Sequence, residues 1–400
     1  MFDIIKKLFM ERHRTHGGSD ELSVLQQYCG RWLDAGCSPS AADIIIKNYK
    51  DGRITFQEAL GYAQDLQYCS DIREIRRRFS VDFPPGRKEP VRTDPLDAVY
   101  GAMYGDIIGS KYEGNNITDI SSVVRDPFQP GCRLTDDSVL TVATFIAETR
   151  DRDISYCDTP VKLDDIREDS PYPVLYNPYA PAYKKMARRF PYAGYGSSFI
   201  TWMDSDDTRL FPYGSLGNGS AMRVSPVGAM NSDPGTVIER AAVSAMATHN
   251  HIEGVKGAVV TAVCIWMARN GYSKAQIFGY MKKHFSYGQS ADIFTDFTYR
   301  EATEKRVNQV QCSYSVPAAV ISFYDSRDYM DAIKLSACVG YDNDTNACIC
   351  GGIAGAYYGI PDGVRNVVTG KLKETYGYDP FKKRWHGKEN EWGKEKSTEL

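Results

Sequence analysis

Residues 342–356 read DNDTNACICGGIAGA. Two aspartates and a threonine, Asp342, Asp344 and Thr345, stand directly before a run of small residues that reads as a helix (Ala347, Gly351, Gly352, Ala354, Gly355, Ala356). Asp and Thr cap helix N-termini, and the helix macrodipole favours carboxylates there. A cap needs one side chain, however, and this stretch supplies several. In an extended segment the i and i+2 side chains point the same way, so Asp342 and Asp344 are expected to face one point.

A second cluster of the same kind lies two hundred residues earlier, at Thr135-Asp136-Asp137-Ser138, ahead of an apolar helix through Val139, Leu140, Val142, Ala143 and Ile146. Opposed to each other, the two clusters can enclose one or two small hard cations with oxygen ligands only. Such a set suits Mg²⁺, or Mn²⁺ in its place, far better than zinc. Four clustered carboxylates without a cation would repel one another.

Between and around the clusters the pattern is helical. Leu96, Val99, Met103 and Ile107 mark one helix, Val237 to Met246 another, and Glu253 to Met267 a longer one. Few stretches alternate with period two, so the fold class is all-α. A glycine-rich segment runs from Gly214 to Arg223, GSLGNGSAMR. Its glycines let backbone N–H groups approach a phosphate, and a helix starting near Ser220 would add its positive end. It is not a Walker loop, because no Gly-Lys-Ser/Thr closes it.

The ordered set Gly101-x-x-x-Gly105-Asp106-x-x-Gly109, Thr135-Asp136-Asp137, Gly217-Asn218-Gly219-Ser220-Ala221-Met222-Arg223, Thr248-His249 and Asp342-x-Asp344-Thr345 resembles the ADP-ribosylglycohydrolases, relatives of the dinitrogenase reductase-activating enzyme. The resemblance spans roughly 95–365 and implies a compact orthogonal all-α bundle. It implies two Mg²⁺ ions held by Thr135, Asp136, Asp137, Asp342, Asp344 and Thr345. It further implies a substrate cleft formed by Ser215, Gly217, Asn218, Gly219, Met222 and His249, with the pyrophosphate on the Gly-Asn-Gly loop. Glu113 matches an acidic residue that approaches metals and substrate in some members. The implied reaction is hydrolysis at C1″ of the distal ribose through an oxocarbenium-like transition state, with Asp136, Asp137 or Glu113 as the proton-transfer group. The implied substrate is an ADP-ribosylated protein, arginine-linked by preference. A small ADP-ribose conjugate and a catalytically inactive ADP-ribose-binding protein are the rival readings. The chain departs from the family at Gly340-Tyr341, where a second glycine is usual; a tyrosine there is expected to narrow the cleft or change its selectivity. Asp106 reads as structural, satisfying local backbone donors, and His251 as a turn residue.

The 400 residues are 42% hydrophobic and 25% charged, an ordinary globular composition for one large unit plus an appendage. A formal net charge of −3 gives no overall field toward nucleic acid or anionic membrane. No apolar run approaches the roughly 18 residues of a spanning helix. Residues 1–16 lack a signal peptide's long apolar stretch and suit at most a short amphipathic helix. Ten scattered cysteines without a CxxC pair suggest a reduced, cytoplasmic protein. The expected organisation is an N-terminal helical appendage and linker (1–90), a catalytic domain (91–370) and a charged, partly disordered tail (371–400). Within the appendage, 18–80 reads as a small helical module with a Thr55-x-x-Glu58 capping box. Asp51-Gly52 looks like half a calcium loop but lacks the first carboxylates. The cluster Arg73, Arg76, Arg77 and Arg78 reads as a solvated face or as a docking patch for an acidic protein partner. Residues 151–191, polar and rich in proline and tyrosine, read as an inserted surface loop.

Overall fold

The computed structural model describes residues 72–82, 84–85, 94–123, 126–150, 177–205, 212–304, 310–377 and 380–381, with short stretches of the first 60 residues (21–27, 46–47, 49–52, 55–56 and 59). All regular structure among them is helical, apart from one isolated bridge between Gly217 and Gln311. The helices are α1 (Ile72–Arg78), α2 (Pro95–Gly109), α3 (Asp136–Arg150), α4 (Ala180–Arg189) and α5 (Ser197–Asp204). Next come two short turns of helix, α6 (Gly219–Met222) and α7 (Ser225–Met230), then α8 (Pro234–Met246), α9 (Ile252–Arg269) and α10 (Lys274–Phe285). The last are α11 (Tyr299–Glu304), α12 (Cys312–Asp325), α13 (Tyr329–Ser336), α14 (Asn343–Tyr358) and α15 (Asp362–Tyr376).

The all-α expectation holds, and α2 and α14 form its centre. Both are buried along almost their whole length, as expected of helices surrounded by others rather than helices with one wet face. Their glycines explain how they meet. A Cβ on Gly101 would lie 2.5 Å from the carbonyl oxygen of Gly351, and one on Gly105 only 2.0 Å from that of Ala347. One on Gly109 would stand 2.5 Å from Asn343 O, and one on Gly355 2.3 Å from Asp97 O. Glycines at four-residue spacing on both helices thus let two backbones touch where side chains would hold them apart. Around this pair, α9 contributes a hydrophobic helix buried from Glu253 to Ala268, and α12, α13 and α15 close the remaining sides.

Several expectations need correction. Residues 180–189, inside the expected surface loop, form α4. The sequence APAYKKMARR is strongly amphipathic, and it buries Ala180, Tyr183, Met186 and Ala187 while its arginines end the helix. The remainder of that segment, 151–176, lies outside the described residues. The tail is ordered further than expected. Helix α15 runs to Tyr376, and Phe381 is fully buried against Tyr100 and Phe145, with ring centroids 5.2 and 4.6 Å away. The stretch at α1 packs on the core, because Ile75 and Phe79 are buried in the same hydrophobic cluster as α2 and α9. Arg76 Nη1 lies 2.9 Å from Glu239 on α8, and Arg78 packs on Tyr287. The first acidic partner of the arginine cluster is therefore within the chain. Of the small module, Leu25 and Ala59 are buried and Ala59 N–H donates to Thr55 O, a first helical turn after Thr55. Most of it, including Glu58 and residues 28–45, lies outside the described residues, as does the chain beyond 381.

Gly105→Ala should be far costlier than a glycine-to-alanine change in an ordinary helix, which is stabilising. The added methyl meets backbone on the facing helix, so α2 and α14 must separate. We expect a loss of about 3 kcal/mol or failure to fold, measured by denaturant unfolding; a variant as stable as wild type would show that the helices are not in backbone contact.

Candidate active site and metal centre

The contact of α2 with α14 brings together the ends that carry the acids. Asp106 projects from α2 to the N-terminus of α3, where it accepts the backbone N–H of Thr135 (2.9 Å), the Thr135 hydroxyl (2.7 Å) and the N–H of Ser138 (3.2 Å), together with the Ser138 hydroxyl. Backbone donors do meet it, but they lie some thirty residues away and are not local. Asp106 thereby satisfies the orphan N–H of Ser138 in the first turn of α3 and that of Thr135 just before it.

Helix α14 begins at Asn343, with Asp342 as its N-cap residue. Asp342 and Asp344 consequently belong to a helix start and not to an extended segment, because Asn343 and Asn346 pull the chain round. Their side-chain amides donate to the carbonyls of Ala337 and Val339 at 2.7 and 2.6 Å, after a turn at Gly340 with φ of +81°. Across the gap, the Thr345 hydroxyl donates to Asp137 Oδ2 at 3.4 Å, and Thr135 Oγ1 lies 3.1 Å from the same oxygen.

Asp106, Asp137 and Asp344 each place a carboxylate oxygen within 4.8 Å of the other two, and all three residues are buried. Burial, then the charge of Asp344, pushes the Asp137 carboxyl well above its ordinary value. Burial and then Asp342 do the same to Asp344. Burial, followed by the charges of Asp106 and Asp342, raises Asp136 to about 8, and burial raises Asp106 to about 6 despite its four donors. Asp137 Oδ1 is buried with no hydrogen-bond partner among the described residues. An oxygen-only donor set, an orphaned carboxylate oxygen and mutually opposed charges fit a hard divalent cation.

Above the acids lies a cleft of about 600 Å³. It is lined by Glu113, Asp136, Asp137, Asp342, Asp344 and Thr345 on one side, and by Ser215, Gly217, Asn218, Gly219, Met222 and His249 on the other. All residues expected at the site from the sequence line it except Thr135, which is buried beneath. The glycine loop is built differently from a simple row of free N–H groups. Gly217 N–H donates to Ser215 Oγ (3.1 Å), and Asn218 N–H donates to Val310 O (2.9 Å). The Asn218 side chain turns to the acids, donating to Asp342 Oδ2 at 2.6 Å. The expected helix at Ser220 is a single turn, α6. Close approach is nevertheless built in, since a Cβ on Gly219 would lie 3.1 Å from His249 Nε2. His249 itself is buried, and burial together with the nearby Arg223 charge holds its pKa well below the ordinary histidine value.

Glu113 stands exposed at the rim, 3.6 Å from Arg133, and the next residue, Gly114, donates its N–H to Tyr341 O at 2.7 Å. Tyr341, the departure noted in the sequence, is 41% exposed and lines the cleft mouth. The sequence reading missed a third wall, made by Gly194, Gly196, Ser197, Ser198 and Phe199 at the start of α5. Gly194, at φ of +112°, lies against Asp136, whose N–H donates to Ala193 O at 3.0 Å. A signal was present: two glycines and two serines precede a short apolar helix there. Tyr213, Arg223 and Val310 were also missed as lining residues.

Comparison with known proteins identifies the family and the fold. The sequence pattern of ADP-ribosylglycohydrolases matches residues 89–388. ADP-ribosylhydrolase ARH3 of Bos taurus is 26% identical over 318 residues, covering 65% of this chain and 83% of that protein. The Homo sapiens ARH3 is 25% identical, covering 65% and 84%. A solved structure described as an ADP-ribosylglycohydrolase-related protein complex shares the fold, with a TM-score of 0.51 and 18% identity over 71% of this chain and 98% of that one. The chain therefore belongs to the ADP-ribosylglycohydrolase family and is a glycohydrolase enzyme.

Proposed function

We propose that this enzyme hydrolyses the bond at C1″ of the distal ribose in a magnesium-dependent removal of ADP-ribose from a modified protein. The observation carrying this reading is that oxygen-only acids and a glycine loop with room for close backbone approach face each other across one cleft. Thr135, Asp136, Asp137, Asp342, Asp344 and Thr345 would hold two Mg²⁺ ions, or Mn²⁺ in their place. Bound there, the metal supplies Lewis-acid stabilisation and lowers the pKa of a water. Asp106 supports the centre from behind by fixing Thr135 and Ser138. The loop from Ser215 to Gly219 and His249 orient the pyrophosphate, and Met222 packs below it.

Among the candidate proton-transfer groups, Asp137 is buried and already shared between two threonine hydroxyls, which suits a ligand. Asp136 is partly buried beside Gly194. Glu113 is the carboxylate open to solvent at the rim, with access to the leaving group, and we assign it the proton transfer. The acidic mouth favours a cationic leaving side chain, so an arginine-linked protein is the preferred target. A cytoplasmic location is supported by the six described cysteines, all free and buried. No helix among the described residues is long and apolar enough to cross a membrane.

The direct test is incubation with targets ADP-ribosylated on arginine, on serine or on nucleic acid, with and without Mg²⁺. Release of ADP-ribose should require the metal, and full turnover in excess EDTA would overturn the reading. Asp137→Asn and Asp342→Ala should each lower kcat by at least the ~100-fold typical of lost metal support, with the circular dichroism spectrum unchanged.

The metal-free protein should also show a characteristic pH dependence. Carboxyls whose folded pKa is raised contribute stability below the unfolded value of 3.8 and lose it as pH rises through the folded one, about 8 for Asp136. In EDTA the melting temperature should therefore fall across that window, and saturating Mg²⁺ should flatten the curve. A melting temperature that rises with pH in EDTA would contradict the assignment.

Gly219→Val forces a side chain against His249 Nε2. Free ADP-ribose should raise the melting temperature of the wild type by mass action and fail to do so in the variant, whose Mg²⁺ affinity should be retained. An equal ligand shift in both proteins would move the pyrophosphate away from this loop.

A further inference from the structure

Behind His249 lies a line of polar groups that the reaction as described does not use. Arg223, fully buried, is stacked at 4.0 Å over the ring of Tyr183, whose hydroxyl is fixed by Thr144 (3.0 Å) and Ser244 (2.7 Å). Its Nη2 donates to Ser244 O at 3.2 Å and to Thr248 Oγ1 at 2.8 Å, while Nε and Nη1 meet no acceptor among the described residues. Thr248 Oγ1 in turn lies 2.7 Å from His249 Nδ1.

Proton bookkeeping along this line selects one tautomer. A guanidinium has donors only, so the threonine oxygen accepts from Arg223. Among the described residues, the Thr248 hydroxyl has no acceptor within hydrogen-bond distance other than His249 Nδ1. The single threonine proton is then left for Nδ1, which must accept it. In a neutral imidazole the other nitrogen carries the hydrogen. That nitrogen, Nε2, is the one facing the glycine loop, 3.1 Å from a Cβ placed on Gly219 and 3.6 Å from one on Gly217.

We infer that Arg223 and Thr248 are positioning residues that hold His249 as the neutral Nε2–H tautomer, a fixed hydrogen-bond donor to a phosphate oxygen of the ADP-ribose. The inference deepens the proposed function and rests on its placement of the pyrophosphate on the Gly217–Gly219 loop. It gives His249 a binding role and no part in proton transfer. It also explains why a buried cation with no carboxylate partner among the described residues is tolerated beside a site for an anion: the charge of Arg223 favours the phosphate and keeps the imidazole neutral.

The experiment combines nitrogen NMR of the histidine-labelled full-length protein with calorimetric titration of free ADP-ribose in Mg²⁺. In the wild type, His249 should show a protonated Nε2 and an unprotonated Nδ1. Thr248→Val keeps the shape but removes the hydroxyl that donates to Nδ1. It should mix the two tautomers and weaken ADP-ribose binding by about tenfold, the value of one directed bond to a charged group. Thr248→Ser, which restores the hydroxyl, should restore the single tautomer. A proton on Nδ1 in the wild type overturns the inference, as does a valine variant with unchanged tautomer and affinity. If Thr248→Val does not fold, the wild-type and Thr248→Ser spectra decide. If the wild type binds no ADP-ribose, the ligand assignment falls, and the imidazole spectrum still decides whether Arg223 and Thr248 set the tautomer.

Discussion

Backbone contact between α2 and α14 is the constraint on which the rest of the molecule depends. Two helices usually pack with axes 8–10 Å apart, separated by their side chains. Here Gly101, Gly105 and Gly109 face Asn343, Ala347, Gly351 and Gly355 so closely that a Cβ on any of the three has no room. The approach is functional as well as compact. It sets Asp106, three-quarters of the way along α2, beside Asp344 in the first turn of α14. Larger residues along either stripe would give an equally hydrophobic core and leave the acids of the two helices far apart.

The same junction concentrates helix N-termini. Both α3 and α14 start at the acid cluster, and each brings the positive end of its dipole to carboxylates that would otherwise only repel. Polar wiring then couples the halves of the cleft. Asn218 ties the glycine loop to Asp342, and Gly114 ties the Glu113 turn to Tyr341. Ligand contact at the loop and ligand contact at the acids are therefore one hydrogen bond apart, which suits a substrate that must engage both ends at once.

Much of this was legible in the sequence where a residue type is demanded by local chemistry. The two acid clusters, the glycine loop and the long apolar helices announce themselves through composition and spacing, and the family resemblance supplied their mutual arrangement. What could not be read depends on partners remote in the chain. Asp106 looks like any aspartate after a glycine until α3 arrives to be capped. Arg76 and Arg78 look solvent-facing until Glu239 and Tyr287 meet them. Helix α4 was hidden by the proline- and tyrosine-rich composition around it, although its own ten residues have a clear apolar face. Phe381 sits in a charged stretch whose average says nothing about one aromatic side chain filling a gap between α2 and α3.

The pairing of α2 with α14 also has a bearing on how the chain is made. The glycine face of α2 leaves the ribosome first and has no partner until some 240 residues later, when α14 follows. Until then the most buried helix of the finished enzyme is an exposed strip of backbone and small apolar residues. Contacts of such long sequence separation form late and slowly, and intermediates lacking them are the species that aggregate. The closing step of this fold therefore waits on α14, and the acids of the two halves come together only once that helix has been made.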